Sequence, residues 1–326
     1  MDSNVSKNTN SHKFFKVSLA IESPHISVKN ALKKLLLSTL NLERQKFNVT
    51  LDPEFVAKSL DRKIKLSTCN DWQFSSAKKL EKTLFTSKLI SLGYDCPLGL
   101  FLAASCQLSL PEIIDRLCLL FQLNNLSDRS SLELYLEIAA TGWLNFYLDS
   151  QSLATWLEQS LLSIQTDAIS TSTIKLGSTP SNLFQVQYIH ARCYSLLSLG
   201  ERENLILLKG DRQSTGWQIE QPSSISWLDA EDNLWLSEPA EYDLLRQLLT
   251  VTDAQSECSD RPSWSKIALD LSRATAIFQT ECRFLGEVKV RSPSKAIARL
   301  GLIALAQYWL EKILLEKLNL AAPKTL

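Results

Sequence analysis

The stretch from Phe184 to Arg192, Phe-Gln-Val-Gln-Tyr-Ile-His-Ala-Arg, sets the strongest constraint on what this chain can fold into. Val186, Ile189, Cys193, Leu196 and Leu197 recur at helical spacing and predict one buried stripe. Thr179 can cap such a helix, Pro180 suits its first turn, and Gly200 offers a C-terminal stop. Gln187, His190 and Arg192 lie between the apolar positions, and a plain core helix does not require them. Neighbours three or four apart share a face, so Tyr188 aligns with Arg192 and Gln187 with His190. Two readings of His190 stay open: a core histidine bonded to a neighbouring carbonyl, or a group that positions a ligand. Gln187 and Tyr188 divide in the same way between interhelical packing and ligand contact.

The rest of the chain sorts around that helix. After it comes an irregular stretch, 201–236, with Trp217, Trp227 and Trp235, which either anchor a loop or stack on bases. Three helical patterns follow. One is capped by Ser237, one starts at Pro262 and buries Trp264, Ile267, Leu271, Phe278 and Cys282, and one runs from Pro293 to near Leu318. Ahead of the central helix the pattern is mixed. Val28 to Leu42 reads as an amphipathic helix with Lys29, Lys33 and Lys34 outward. Phe47–Leu51 and Lys63–Ser67 read as strands, and 71–92 is lysine-rich and ambiguous. Residues 97–121 carry two helices parted at Leu110-Pro111-Glu112. Leu132–Ile138 and Trp143–Leu148 form a hairpin around Thr141-Gly142, and a helix over Ser152–Ile164 follows. The expectation is a disordered tail (1–12), an α+β domain (13–164), a Ser/Thr-rich linker (165–180) and an all-α bundle (181–326), mainly α overall.

Composition narrows the chemistry. The formal net charge is zero, so no global field advertises a polyanionic partner. The distribution is uneven: residues 1–90 hold 16 Lys/Arg against 8 Asp/Glu, residues 91–180 hold 3 against 9, and 261–299 alone hold 8 against 3. Arg273, Arg283, Lys289, Arg291 and Arg299 in that last stretch, and the lysines of 29–88, are either phosphate-tracking groups or solvated surface. The seven cysteines have no Cys-x-x-Cys pair and read as reduced thiols of a cytosolic protein, with no metal site. Three scattered histidines and nine glycines, without a phosphate-loop or nucleophile-elbow motif, leave no candidate catalytic residue and no cofactor. The most hydrophobic run, Leu300–Leu310, is too short to span a bilayer, so no membrane partner is expected.

With those motifs in place, the chain resembles the arginyl-tRNA synthetases. Phe184 to Arg192 looks like the Val-Gln-Tyr-Ala-His-Ala-Arg signature that opens their anticodon-binding domain. Ser237-Glu-Pro-Ala-Glu-Tyr-Asp-Leu-Leu-Arg246 resembles a helix-opening segment of that domain. Phe278 through Cys282-Arg-Phe-Leu285 resembles a helix end, and Arg299-Leu-Gly-Leu302 through Leu318-Asn-Leu-Ala-Ala-Pro323 the terminal helix. Glu137-Ile-Ala-Ala-Thr-Gly-Trp-Leu-Asn-Phe146 is similar to a hairpin in the family's additional N-terminal domain, with Gly142, Asn145 and Phe146 matching. Ala103-Ala104 and Pro111-Glu-Ile113 match more weakly.

The resemblance skips the family's catalytic core. Neither His-Ile-Gly-His nor Lys-Met-Ser-Lys-Ser occurs, and the short linker leaves no room for an α/β domain, which needs on the order of 100 residues. The resemblance therefore implies a non-catalytic tRNA-binding protein, arginine tRNA by preference, adapting or regulating a tRNA-modifying or aminoacylating enzyme in the cytoplasm. The implied contacts are Tyr188, Arg192, Arg273, Arg283, Lys289, Arg291 and Arg299 on the bundle, and Lys29, Lys33 and Lys34 ahead of it. Two other classes stay open: an assembly factor that kept the fold and lost the RNA, and the tRNA-binding subunit of a split synthetase.

Overall fold

A computed structural model describes residues 13–20, 27–47, 53–68, 89–123, 131–166, 183–209, 218–256 and 262–325. The tail 1–12, most of the 165–180 linker with Thr179 and Pro180, the lysines between 78 and 88, Trp217, His12 and His25 lie outside the described residues. The protein is mainly helical with a small antiparallel sheet, and it divides into two compact units, chiefly residues before and after Asp149.

The first unit is built on five antiparallel strands: β1 (Lys13–Ala20), β2 (Lys65–Thr68), β3 (Leu89–Cys96), β4 (Ser131–Ile138) and β5 (Leu144–Asp149). Their spatial order is β1-β4-β5-β3-β2. Leu132, Leu134, Leu136 and Ile138 are buried, and alternation along β4 sends Glu133 and Tyr135 the other way. Helices α1 (Val28–Phe47), α2 (Pro53–Lys63), α3 (Leu98–Cys106) and α4 (Leu110–Leu123) complete the unit. Leu32 and Leu36, Val56 and Leu60, and Ile113, Leu117 and Phe121 of these helices are all buried, each spaced four from the next on its helix.

Three local expectations change here. Phe47 closes α1 instead of opening a strand, and 48–51 lie outside the described residues. A helix, α2, fills the space before β2, with Pro53 in its first turn and Arg62 and Lys63 in its last. The strand β1, absent from the sequence expectations, pairs with β4 along its whole length.

The expected hairpin is present, and Gly142 explains its tip. Its φ is +84°, a left-handed conformation that glycine adopts without strain. Gly99 at the start of α3 donates its N–H to the Gly142 carbonyl at 2.9 Å. A Cβ on Gly99 would stand 2.7 Å from that oxygen, so only glycine lets helix and hairpin meet. Behind the tip, Glu137 is buried and accepts from Asn145 Nδ2 at 3.0 Å and from the Tyr147 hydroxyl. The Gly142, Asn145, Phe146 pattern is thus accounted for by the hairpin's own packing, Phe146 being fully buried.

The second unit holds α5 (Ser150–Thr166), α6 (Phe184–Arg202), a two-stranded ribbon of β6 (Leu207–Lys209) and β7 (Gln218–Gln221), then α7 (Pro239–Ser256), α8 (Trp264–Glu281), the short α9 (Glu287–Arg291) and α10 (Pro293–Lys312). α5, expected to close the first domain, belongs here; Trp227 of the irregular stretch donates its Nε1–H to Glu158 of α5 at 3.0 Å. α10 is buried all round, with every residue from Ala298 to Lys312 inside, so its hydrophobicity reflects a central position among α5, α6, α7 and α8. Among the described residues no single helix is long and apolar enough to cross a membrane.

Gly200 does not stop α6; the helix continues to Arg202. Its missing side chain instead admits Leu300 of α10, whose methyl carbons would lie 2.8 and 2.9 Å from a Cβ there. Nor does the Ser237 hydroxyl cap α7. The Glu241 carboxylate does so, accepting from the Ser237 and Glu238 backbone N–H groups at 2.6 and 2.8 Å.

Candidate nucleic-acid interface

The polar residues of α6 separate cleanly by face. Val186, Ile189, Cys193 and Leu197 are buried, as their spacing predicts, while Leu196, expected in the same stripe, is only half-buried at its edge. Gln187 and His190 are buried too, and both hold the end of the chain. After α10 a π-helical turn, Ile313–Lys317, redirects the backbone, and Leu318–Lys324 returns along α6 as a strap. Gln187 Nε2 donates to the Ala321 carbonyl at 2.8 Å, and His190 Nδ1–H donates to the Pro323 carbonyl at 2.9 Å. Lys324 Nζ sits 5.2 Å from the centre of the Tyr194 ring. On the other ring nitrogen, His190 Nε2 accepts from Gln307 Nε2 at 3.1 Å. His190 is therefore the carbonyl-bonded core histidine, and its tautomer is fixed by the strap.

The remaining face is solvent-facing. Phe184 is 54% exposed and Tyr188 is 46% exposed, one turn apart, and Arg192 continues the line one turn further. A helix that leaves two aromatic rings and a guanidinium in one exposed stripe presents stacking surface and positive charge together. Phe184 escaped the sequence reading as a contact, although its spacing to Tyr188 and Arg192 was the available signal.

The basic residues of 261–299 do not share one role. Arg299 is 4% exposed, and its Nε donates to Glu241 at 2.7 Å while another nitrogen reaches the Arg283 carbonyl. Its charge is thus already matched inside the bundle. Arg273 is exposed beside Asp270 at 3.3 Å, Lys289 pairs with Glu203 at 2.7 Å, and Arg291 pairs with Glu287 at 2.7 Å. Arg283, Arg291 and Lys295, with the largely buried Arg299, line an open cleft of about 510 Å³, whose wall also carries Glu238, Glu281 and Glu287. Arg273 is not on that cleft, so the structure brings together Arg283 and Arg291 and leaves Arg273 apart. In the first unit, Lys33 is ion-paired with Asp61 at 2.7 Å, Lys34 is exposed on α1 and Lys29 is half-buried.

The two described cysteines of the second unit are not poised as nucleophiles. Cys193 and Cys282 are buried, and burial pushes both thiols up to about 12, so they stay protonated at neutral pH. Among the described residues no three His, Cys, Asp or Glu side chains gather as a metal would require. No family model, curated protein or solved structure matches the chain.

Proposed function

We propose that the protein is a non-catalytic tRNA-binding protein whose helical unit is a bundle of the anticodon-binding type. The observation that carries this reading is the exposed Phe184–Tyr188–Arg192 stripe, because unpaired bases stack on aromatic faces while a guanidinium meets their phosphates. Arginine tRNA is the preferred ligand, on the resemblance of the α6, α7 and α10 segments to arginyl-tRNA synthetase motifs, and an enzyme that modifies or charges that tRNA is the preferred protein partner. Arg283 and Arg291 supply a second, electrostatic contact from their cleft, and Lys29, Lys33 and Lys34 a third from the first unit.

A second reading is favoured by a different observation. Arg273, Lys289 and Arg291 each already face a carboxylate, as on a neutral protein-binding surface. Exposed pairs of this kind are worth only about 0–1 kcal/mol, so phosphates can displace the acids.

Equilibrium binding of unmodified arginine tRNA across a salt series separates the two. The expected result is saturable binding whose logarithmic salt slope drops by about 0.7–0.9 for each phosphate contact removed. Changing Arg273, Arg283 and Arg291 to Glu together should weaken binding to every tRNA and flatten that slope. Absence of binding at low salt would overturn the RNA reading, and an unchanged slope in the triple variant would return the three arginines to ordinary surface.

A further inference from the structure

We propose that the C-terminal strap is an acid-sensitive latch, in which protonation of His190 releases Ala321–Lys324 from α6. The proposal stands on how completely His190 is used and is independent of RNA binding. The ring is fully buried, its Nδ1–H is given to the Pro323 carbonyl, and its Nε2 accepts from Gln307. A second proton at Nε2 would point at the Gln307 amide nitrogen. That amide cannot simply turn its oxygen toward the ring, because the same Nε2 also donates to Glu311 Oε2 at 2.8 Å. Turning it would aim the amide oxygen at a buried carboxylate and lose that bond.

The charged groups around the ring divide. Lys324, on the strap, opposes a positive imidazole. Glu311, on α10, would favour one, but the Gln307 amide stands between them with N–H groups directed at both. On α6 itself the adjacent charge is Arg192, which is exposed, and the neighbouring Cys193 thiol is neutral and bonded to Gln279 of α8. Burial dominates and pushes the His190 pKa from 6.5 down to about 4, with Lys324 adding to the effect and the Pro323 bond opposing it. The folded, latched state thus binds fewer protons than the open one. Its advantage is full above pH 6.5 and is lost progressively as pH falls toward 4. Release bares Gln187, His190 and Tyr194 and widens the polar face of α6.

Amide hydrogen exchange, corrected for intrinsic rates, tests the latch on the full chain. Strap amides around Leu320 should exchange about 25-fold faster at pH 5 than at pH 7.5, from the linkage between a latched and a free imidazole. The buried amides of α7 serve as a reference that should not follow. His190→Asn keeps a side-chain N–H near the Nδ1 position and does not titrate, so its strap should stay protected at both pH values. Equal protection in the wild type at pH 5 and 7.5, or acid release persisting in H190N, would overturn the proposal. Should H190N not fold, the Cε1–H resonances of the wild type decide, since the chain has three histidines. His190 must titrate well below the other two, and an ordinary titration near pH 6.5 would overturn the latch equally.

Discussion

Arg299→Met will lower the unfolding free energy by about 3–5 kcal/mol, seen as an earlier urea midpoint, because it leaves Glu241 buried and uncompensated. Glu241 is fully buried, and Arg299 is the cation that faces it, at 2.7 Å. The carboxylate also closes the N-terminus of α7 through two backbone N–H groups, and the helix dipole offsets only part of its charge. Arg299 further donates to the Arg283 carbonyl, so its loss strands a second acceptor. Neutralising the acid in turn should undo most of the damage: Glu241→Gln added to Arg299→Met is expected to unfold later than Arg299→Met alone. A single variant with an unmoved midpoint would show that the pair does not hold the bundle together. RNA affinity in these variants should fall mainly in step with stability, since Arg299 is 4% exposed and its charge is held by Glu241.

That pair also shows where sequence reading stopped. Arg299 was grouped with its basic neighbours by charge density, and charge density carries no information on depth. Its partner lies 58 residues away, on another helix, and only the packing of α10 against α7 brings them together. The helices themselves were legible, because Leu244, Leu245, Leu248 and Leu249, or Leu271, Phe278 and Cys282, repeat at the period of a buried face, although Trp264 and Ile267, expected inside, are only half-buried at the start of α8. The face division of α6 was legible for the same reason. What Gln187 and His190 hold was not, since Ala321 and Pro323 are more than 130 residues on and contribute backbone carbonyls, which have no sequence signature. In the first unit the strong hairpin was readable from alternation and Gly142. β1 went unread although Phe15, Val17 and Leu19 alternate with Lys16 and Ser18, and its pairing with β4 is what identifies it. The helix α2 had its signals in Pro53 and the Val56, Leu60 spacing, and both residues are buried.

The stripe on α6 carries the functional reading, and removing it should have the largest effect on binding. Phe184→Ala with Tyr188→Ala is expected to weaken tRNA binding by about 2–6 kcal/mol, at roughly 1–3 kcal/mol for each stacked base. Both side chains are about half-exposed, so the melting temperature should stay close to that of the wild type. Tyr188→Phe keeps the ring and removes only the hydroxyl; binding that survives in Tyr188→Phe and fails in Tyr188→Ala assigns the contact to stacking. Arg192→Gln should reduce affinity and flatten the salt dependence, because it removes a charge and leaves the rings in place. These outcomes differ from those of His190 or Gln187 variants, which lose strap contacts and should fall in stability first. If the double alanine variant binds tRNA like the wild type, the exposed aromatics are not the RNA surface. The aromatic stripe would then serve a protein partner, and the neutralised arginines of α8 and α9 would belong to the same neutral docking chemistry.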